Sequence, residues 1–338
     1  MIIARAPVRI SFGGGGTDLA AYYERFGGLV LSTAITRYCY VFISKRSRAG
    51  IGINSASTQE WTTCQSGRIP LIARPLALPR AALAWFMEQG WLHDDIDLFL
   101  TSEVPSGSGL GSSSALAVAL IAALGTYCGR TLRPAEIAEL ACQLEIERLQ
   151  MPIGKQDQYA SAYGGLNTLE FSAQGVQARP LALPADILQS LNAHLLLFAT
   201  GLTHNSSTIL GAQQKSTREE AKTQDTLHAM KQLAAQMREA LLAGQLDHFG
   251  HLLDQGWQAK RSLSGAVTTS DIDHWYALAR QSGAIGGKIT GAGGGGFLLL
   301  YCPLPQQQAV RKNLTQQGLQ ELEFEFATFG PQVSEHAW

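Results

Sequence analysis

The stretch Pro105-Ser-Gly-Ser-Gly-Leu-Gly-Ser-Ser-Ser114 lies between a predicted strand at residues 97–104 and a predicted helix at residues 115–127. Glycine takes backbone conformations that other residues avoid, and its lack of a side chain lets the main chain approach a ligand. The helix that follows adds the positive end of its dipole, and backbone N–H groups at such a position suit phosphate oxygens. We therefore predict a phosphate-binding loop, to which the three terminal serines add hydroxyl donors or a metal ligand.

Two better-known phosphate motifs do not describe this loop. A P-loop ends in Gly-Lys-Ser or Gly-Lys-Thr, and the segment contains no lysine. A dinucleotide fingerprint reads GxGxxG, whereas Gly107, Gly109 and Gly111 read GxGxG in mid-chain. The remaining alternative is a glycine-rich turn that is capped by serines and binds nothing.

The overall composition limits the classes of function. The chain has 338 residues, of which 46% are hydrophobic, enough for a large core and two domains. A formal net charge of -1 gives no reason to expect nucleic acid or an anionic membrane as a partner. The 5 cysteines are widely spaced and form no CxxC pair, which disfavours a disulfide framework or a zinc site.

Targeting signals are not evident either. The longest apolar run, residues 115–124, is too short for a membrane helix, which needs about 20 residues. Residues 1–10 lack the basic-then-apolar layout of a signal peptide. We therefore expect a cytoplasmic protein.

The order of predicted elements indicates an α+β protein with two domains. Strand and helix patterns mix along the chain, including a strong helix at residues 134–149 and a closing strand at residues 323–329. A composition shift near residues 173–184 marks the candidate boundary. We predict an N-terminal domain at residues 1–180 and a C-terminal domain at residues 181–338.

Three segments carry a family resemblance. They are Ala6-Pro-Val-Arg-Ile-Ser-Phe-Gly-Gly-Gly-Gly-Thr-Asp-Leu19, the loop at residues 105–114, and Gly287-Lys-Ile-Thr-Gly-Ala-Gly-Gly-Gly-Gly-Phe297. Together they resemble the GHMP kinases, the family of galactokinase, homoserine kinase, mevalonate kinase and phosphomevalonate kinase, over essentially the whole chain. The resemblance implies a ribosomal S5 domain 2-like N-terminal domain that carries the ATP site. It also implies a ferredoxin-like βα sandwich as C-terminal domain, with the active site in the cleft between the two.

Residues 9–19, Gly154-Lys-Gln-Asp-Gln-Tyr159 and the third segment narrow the resemblance. Within the family they are similar to sugar 1-kinases that act on D-glycero-D-manno-heptose 7-phosphate, with L-fucose kinase domains as near relatives. This resemblance implies ATP as donor and Mg²⁺ as cofactor. It also implies an anomeric 1-phosphate as product, which would be activated with a nucleotide and used for a capsule or lipopolysaccharide glycan. One departure is Thr203-His204-Asn205, where such heptose kinases tend to carry arginine.

Two alternative functions stay open. The chain could phosphorylate L-fucose or another hexose, or it could be a sugar and nucleotide sensor without catalysis. In each case the expected partners are ATP or a similar nucleotide and a small sugar or sugar phosphate, with a homodimer as one assembly.

The resemblance also implies catalytic roles. Asp157 matches the family's catalytic aspartate, a carboxylate that accepts or orients the proton of the attacking hydroxyl; its structural alternative is a helix N-cap. Arg9 matches the basic residue that faces the transferring phosphoryl group, where a fixed cation offsets charge; its alternative is a salt bridge. The implied ATP contacts are Pro105, Gly107, Ser108, Gly109, Leu110, Gly111, Ser112, Ser113 and Ser114.

A magnesium site is expected beside the loop. Mg²⁺ prefers hard oxygen ligands and keeps several waters, so one carboxylate and one hydroxyl suffice. The positions that match the family are Ser113 and Glu147. Glu145, two residues earlier on a different helix face, is the second candidate ligand, and a solvated helix charge is the alternative for either glutamate.

The acceptor site is expected at the two outer glycine clusters. Asp18 follows the first cluster, where sugar-binding relatives present an acid to the hydroxyls; its alternative is a cap for the next helix. The other residues predicted to contact the acceptor are Gly15, Thr17, Thr290, Gly293, Gly294 and His204.

Overall fold

Two β-sheets organise the computed structural model, which describes residues 1–65, 69, 76–202 and 206–336. The first sheet has 8 strands and the second has 4. Helices pack against both sheets. This mixture confirms the predicted α+β class.

A long antiparallel pair, β1 (Ile2–Gly13) and β2 (Gly28–Lys45), forms the centre of the first sheet. Aromatic and β-branched residues dominate β2, as is typical of strands. The other strands are β3 (Ile51–Ser55), β4 (Glu60–Cys64), β5 (Ile96–Ser102), β6 (Leu166–Ser172), β7 (Gly175–Pro180) and the last strand of the chain, β12 (Gln332–Glu335). Their order is β12-β1-β2-β5-β3-β4, and β6 pairs with the first half of β2 and with β7. Only the pair of β3 with β5 is parallel among the described strands.

Five helices accompany this sheet. They are α1 (Ala20–Phe26), α2 (Ala77–Glu88), α3 (Ser112–Tyr127), α4 (Pro134–Cys142) and α5 (Gln156–Tyr163). α3 is apolar on nearly every side, as expected of a buried helix, and it packs on β1, β2, α4 and α5. α4 continues directly into a π-helical turn, Gln143–Arg148. Because a π-helix closes its hydrogen bonds one residue later than an α-helix, it changes which side chains face inward.

The second sheet is antiparallel in the order β11-β8-β10-β9. Its strands are β8 (Leu195–Ala199), β9 (Gly286–Ile289), β10 (Phe297–Tyr301) and β11 (Gln320–Glu321). The accompanying helices are α6 (Ala185–His194), α7 (Ser206–Glu219), α8 (Ala221–Leu242), α9 (Leu246–Arg261), α10 (Ser270–Gln281) and α11 (Leu304–Gln316). Within the described ranges, no helix combines the length and the apolar character that a membrane crossing requires.

The two sheets use different parts of the chain, with one exception. β7 ends at Pro180, and α6 begins the second part at Ala185. The closing strand β12, however, returns to the first sheet and pairs with β1. The prediction of a C-terminal domain at residues 181–338 is therefore corrected at its end, because β1 offers residues 332–335 the backbone hydrogen bonds of a sheet edge.

A shared core joins the two parts. Phe12 of β1 packs edge-on against Phe249 of α9, with ring centroids 5.3 Å apart. Ile10 belongs to the same buried cluster as Leu197 of β8 and Leu299 of β10. The cleft between the two parts therefore has walls that a common core holds together.

Candidate active site

The predicted phosphate loop runs from the end of β5 to the first turn of α3. Gly107, Gly109 and Gly111 have φ angles of 75°, 72° and 75°, a left-handed conformation in which a side chain is strained. Between them Leu110 is 0% exposed, and its carbonyl accepts a hydrogen bond from the Arg9 N–H at 2.9 Å. The cleft is lined by Gly107, Gly109, Gly111, Ser112, Ser113 and Ser114, whereas Pro105 is exposed outside it and Ser108 and Leu110 are buried behind it. The predicted ATP contacts of Pro105, Ser108 and Leu110 stay predictions, although the side chains of these residues do not line the cleft.

The last glycine cluster meets this loop backbone to backbone. A β-carbon on Gly109 would lie 2.6 Å from the Thr290 carbonyl oxygen, and one on Gly291 would lie 2.5 Å from the Gly109 α-carbon. The Thr290 hydroxyl donates to the Ser108 carbonyl at 3.1 Å, and Thr290 is 1% exposed. The predicted acceptor contact of Thr290 is therefore wrong, because its hydroxyl joins the two loops instead.

Three further predicted acceptor contacts also face the protein. The Gly294 N–H donates to the Val267 carbonyl at 2.7 Å, and a β-carbon on Gly293 would lie 2.7 Å from the same oxygen. Thr17 is 0% exposed, and its hydroxyl is hydrogen-bonded to backbone groups of the first glycine turn and of β2. The predictions for these residues are corrected, since none of them lines the cleft. His204 lies outside the described residues.

Arg9 of β1 and Asp157 of α5 form an ion pair in the cleft. Arg9 Nη2 lies 2.7 Å from Asp157 Oδ1, and Arg9 Nε donates to the same oxygen at 2.8 Å. Arg9 Nη1 also donates to the Gly109 carbonyl at 2.5 Å, which ties the guanidinium to the phosphate loop. The Asp157 side chain is 24% exposed and that of Arg9 only 4%, so the carboxylate is reachable from the cleft. The N-cap of α5 is Lys155, with no side-chain cap, so Asp157 is not a helix cap.

Asp18 lies in the same cleft and is 2% exposed. Its carboxylate accepts hydrogen bonds from the Gly16 N–H at 2.9 Å and from the Gln156 side-chain amide at 3.0 Å. Burial, and then the negative charge of Asp157, raises the pKa of Asp18. The N-cap of α1 is Leu19, and no side chain caps that helix. The alternative reading of Asp18 as a helix cap is therefore wrong, and Gly15 lies beside it in the cleft lining.

The buried carboxylate beside the loop serines belongs to Glu145. It accepts hydrogen bonds at 2.7 Å from the hydroxyls of Ser113 and Ser114 and from the Gln158 amide. Glu145 is 0% exposed, and burial raises the pKa of its carboxyl although the three donors act in the opposite direction. Two hydroxyls and a carboxylate are thus gathered at the first turn of α3.

Glu147 lies elsewhere. Its side chain is exposed and lines a separate hollow with Trp85 and Trp91. The prediction of Glu147 as the metal ligand is therefore wrong in its placement. The physical reason is the π-helical turn at residues 143–148, which directs Glu145 toward α3 and Glu147 away from it.

Two buried lysines that the sequence patterns did not reveal also line the cleft. Lys260 donates to the Gly291 carbonyl, and Lys288 donates to the Ser11 carbonyl at 2.7 Å. Burial, followed by the nearby charge of Arg9, lowers the pKa of Lys260 to about 8. Burial also sets the pKa of Lys288 well below its usual value, and the charge of Lys260 adds to this effect. With Arg9 they place three basic side chains around one cleft.

For both lysines the sequence contains a feature that could have indicated their burial. Lys288 is the one charged residue in the apolar strand β9, all of whose residues are buried. Lys260 follows Trp257 by three positions and so shares the buried face of α9. A lysine on an apolar face is rarely left buried unless it is paired or functional.

Size alone does not mark the site. A hollow of about 610 Å³ on the first sheet is larger than the cleft, at about 170 Å³. Among the described residues that line this hollow, Asp97 is the only acid, and it is paired with Arg46 at 2.8 Å. The cleft is smaller but brings together the glycine loops, the Arg9–Asp157 pair and Asp18, so we take it as the candidate active site.

Known proteins resemble this chain in sequence. The sequence matches the GHMP kinases N-terminal domain over residues 77–165 and the GHMP kinases C-terminal region over residues 237–320. It is 31% identical over 326 residues to a D-glycero-alpha-D-manno-heptose 7-phosphate kinase of Campylobacter jejuni, covering 94% of each chain. It is 29% identical to an L-fucokinase/L-fucose-1-P guanylyltransferase of Bacteroides fragilis, of which it spans 36%.

A solved structure agrees over the whole length. The crystal structure of a D-glycero-D-manno-heptose 1-phosphate kinase from Bacteroides thetaiotaomicron has a TM-score of 0.84, covers 100% of both chains and is 25% identical. The fold and the relatives thus define a phosphotransferase that uses an alcohol group as acceptor. Within that class the chain belongs to the GHMP kinase family, whose members use ATP as a substrate.

Proposed function

We propose that the protein transfers the γ-phosphoryl group of ATP to the anomeric hydroxyl of D-glycero-D-manno-heptose 7-phosphate and forms the 1,7-bisphosphate. The observation that carries this proposal is that the Arg9–Asp157 pair faces the glycine loop in the same cleft as Asp18. The likeness to the Campylobacter jejuni kinase along nearly the whole chain supports the heptose as acceptor. The product would supply nucleotide-activated heptose for a surface glycan, and we expect the reaction in the cytoplasm, where ATP is available.

Asp157 and Arg9 have distinct roles in this proposal. Phosphoryl transfer requires alignment of the attacking oxygen and neutralisation of charge more than covalent help from the protein. The Asp157 oxygen that Arg9 does not contact accepts or orients the proton of the attacking hydroxyl. Arg9, held by Asp157 and the Gly109 carbonyl, offsets charge on the transferring oxygens. Lys260 and Lys288 line the same cleft as further basic groups.

The residues beside the loop fit Mg²⁺. This ion binds through one or two carboxylates and keeps waters and substrate phosphates as its other ligands. Glu145 and Ser113 offer a carboxylate and a hydroxyl oxygen within one hydrogen-bonded group. The described residues contain no cluster of three or more metal-binding side chains, which agrees with an ion held largely by the nucleotide. When bound, Mg²⁺ would neutralise phosphate charge, and Glu145 and Ser113 would hold it.

A second acceptor has support of its own. The likeness to the Bacteroides fragilis fucokinase makes an L-fucose or other hexose 1-kinase the alternative. A sensor without catalysis is less well supported, because a sensor needs neither the Arg9–Asp157 pair nor Glu145 beside the loop serines.

The test is an acceptor screen. Release of ADP is measured with D-glycero-D-manno-heptose 7-phosphate, its unphosphorylated heptose, L-fucose, D-mannose and D-galactose. We expect the heptose 7-phosphate to give the largest kcat/KM and the product to carry phosphate at the anomeric carbon by ³¹P NMR. Higher kcat/KM with L-fucose would move the assignment to the alternative, and no turnover with any sugar would favour the sensor.

A further inference from the structure

Three polar side-chain atoms in the cleft have no hydrogen-bond partner among the described residues. They are Ser11 Oγ, Gln156 Oε1 and Gln213 Nε2. All three residues line the cleft. Buried polar groups are nearly always paired, so unpaired ones that collect in one place call for an explanation.

The three side chains lie around one turn of the first glycine cluster. A β-carbon on Gly15 would lie 3.9 Å from Gln156 Nε2 and 4.0 Å from Ser11 Oγ. A β-carbon on Gly16 would collide with Gln213 Nε2. The absence of a side chain at Gly16 therefore makes room for the Gln213 amide, and the absence of one at Gly15 leaves space beside Ser11 and Gln156.

The chemistry of these atoms selects the ligand. Gln156 Oε1 can only accept a hydrogen bond, Gln213 Nε2 can only donate one, and Ser11 Oγ can do both. The Asp18 carboxylate lies next to them, because it accepts from Gln156 Nε2 at 3.0 Å. A phosphate or carboxylate has no proton for Gln156 Oε1, whereas a hydroxyl both donates and accepts.

We propose that Ser11, Gln156 and Gln213 bind neighbouring hydroxyls of the acceptor at the Gly15–Gly16 turn, and that Gln213 of α7 determines acceptor specificity. The inference rests on the proposed function in taking a polyol as the acceptor. It adds that the part of the acceptor at this turn is neutral, so any distal phosphate is held elsewhere. Among the three unpaired atoms, Gln213 Nε2 is the amide donor, and it belongs to α7 in the second part of the chain.

Binding experiments test this inference. Gln213→Met removes the amide and keeps the length of the side chain. Gln214→Met is the matched control, because Gln214 is the next residue of the same helix and lies outside the cleft lining. Affinities for D-glycero-D-manno-heptose 7-phosphate, L-fucose, D-mannose and D-galactose are measured by calorimetry, which needs no turnover.

The expected results differ between the two variants. For the sugar that the wild-type protein binds most tightly, we expect Kd to rise about tenfold in Gln213→Met, or ~1.4 kcal/mol. We expect no change in Gln214→Met and none in the Kd for ATP with either variant.

A further variant tests the space itself. Gly15 has no positive φ, and its β-carbon would meet only ordinary contacts, so Gly15→Ala should fold normally. The added methyl would occupy the acceptor space, and we expect it to weaken sugar binding by at least about tenfold, or ~1.4 kcal/mol, without changing ATP binding.

The outcomes separate this inference from the proposed function. Unchanged sugar affinity in both Gln213→Met and Gly15→Ala overturns the inference, and so does a wild-type protein that binds none of the sugars. Sugar binding that weakens in the variants without any turnover of the sugar in the wild type supports the inference and removes the kinase proposal. Turnover of the sugar that neither variant changes supports the kinase proposal and overturns the inference.

Discussion

A single oxygen, Asp157 Oδ1, accepts both contacts from Arg9, which leaves Oδ2 of that carboxylate free of Arg9. The pair thus fixes the carboxylate, and in the proposed function its second oxygen accepts the incoming hydroxyl. Asp157 lies in the first turn of α5, and this position holds its carboxylate next to the glycine loop. Removing the charge of Asp157 therefore changes the chemistry more than the binding of nucleotide.

We predict that Asp157→Asn lowers kcat by about 10²–10⁴-fold, the range for loss of a general base. The asparagine oxygen can still accept from Arg9, so the Kd for ATP should change little. Single-turnover kinetics and nucleotide titration measure the two quantities separately. Near-normal turnover would remove Asp157 from its proposed role.

The lowered pKa of Lys260 predicts how the stability of the protein depends on pH. Its pKa is about 8 in the folded protein, against 10.5 as the usual value, because burial and Arg9 lower it more than Asp18 raises it. Between these two pH values the unfolded chain holds a proton that the folded chain lacks, so stability rises with pH there. The buried charge of Lys260 therefore lowers the free energy of unfolding by its full amount below pH 8. This destabilisation is lost as the pH approaches 10.5.

We predict that Lys260→Met raises the free energy of unfolding at pH 7 by roughly 1–3 kcal/mol, with a smaller gain at about pH 9.5, while kcat falls by about tenfold or more. Urea unfolding at both pH values and steady-state kinetics measure these effects. Lys222→Met is the control, because Lys222 is exposed on α8. If the gain in the free energy of unfolding of Lys260→Met grew with pH, this would contradict the low pKa of Lys260.

At the scale of elements, one π-helical turn decides which glutamate enters the site. The sequence predicts a continuous helix at residues 134–149, whereas α4 ends at Cys142 and the π-helical turn follows. This turn brings Glu145 to Ser113 and leaves Glu147 exposed. A periodicity argument assumes one helical repeat throughout, and it fails where the repeat changes.

We predict that Glu145→Gln raises the Mg²⁺ concentration needed for half-maximal activity by about 10–100-fold. Glu147→Gln, the matched control two residues away, should leave it unchanged. A Mg²⁺ titration at constant ATP distinguishes the two, and the melting temperature of each variant reports on the fold. A larger effect from Glu147→Gln would restore the original prediction.

Short strands at the end of the chain were harder to predict. The sequence indicates a strand at residues 323–329, but the described strands there are only β11 (Gln320–Glu321) and β12 (Gln332–Glu335). Phe326 makes a single isolated bridge to Ile35. Alternating apolar residues in this segment fill the core between the sheets instead of extending one.

At the scale of the whole molecule, the two glycine loops form one contact surface although they are far apart in sequence. Thr290 is 182 positions from Ser108, to which it donates a hydrogen bond. Gly291 has a φ of 65°, and a β-carbon on it would lie 2.5 Å from the α-carbon of Gly109. A side chain there would separate the two parts of the cleft and displace the phosphate loop.

We predict that Gly291→Ala lowers stability by about 1–3 kcal/mol and raises the KM for ATP. Gly265→Ala is the control, since a β-carbon on Gly265 would meet nothing within 4 Å. Thermal unfolding and ATP kinetics measure the two effects. Lost stability with an unchanged KM for ATP would show that the contact of the two loops does not position the nucleotide site.

The sequence by itself determined the α+β class, the family and the position of the glycine loop between a strand and a helix. These features depend on local patterns: glycines that must take positive φ, serines at a helix start, and motifs in a fixed order. Asp157, Arg9 and Asp18 were recognisable for the same reason, and the structure brings them into one cleft.

Only the tertiary structure decided which neighbouring side chains face that cleft. It selected Glu145 over Glu147, buried Lys260 and Lys288 in the cleft wall, used Thr17 and Thr290 for the fold, and returned β12 to β1. Each of these outcomes depends on burial and on contacts between distant segments. A local pattern carries no information about such contacts, because they form only when the two parts of the chain pack together.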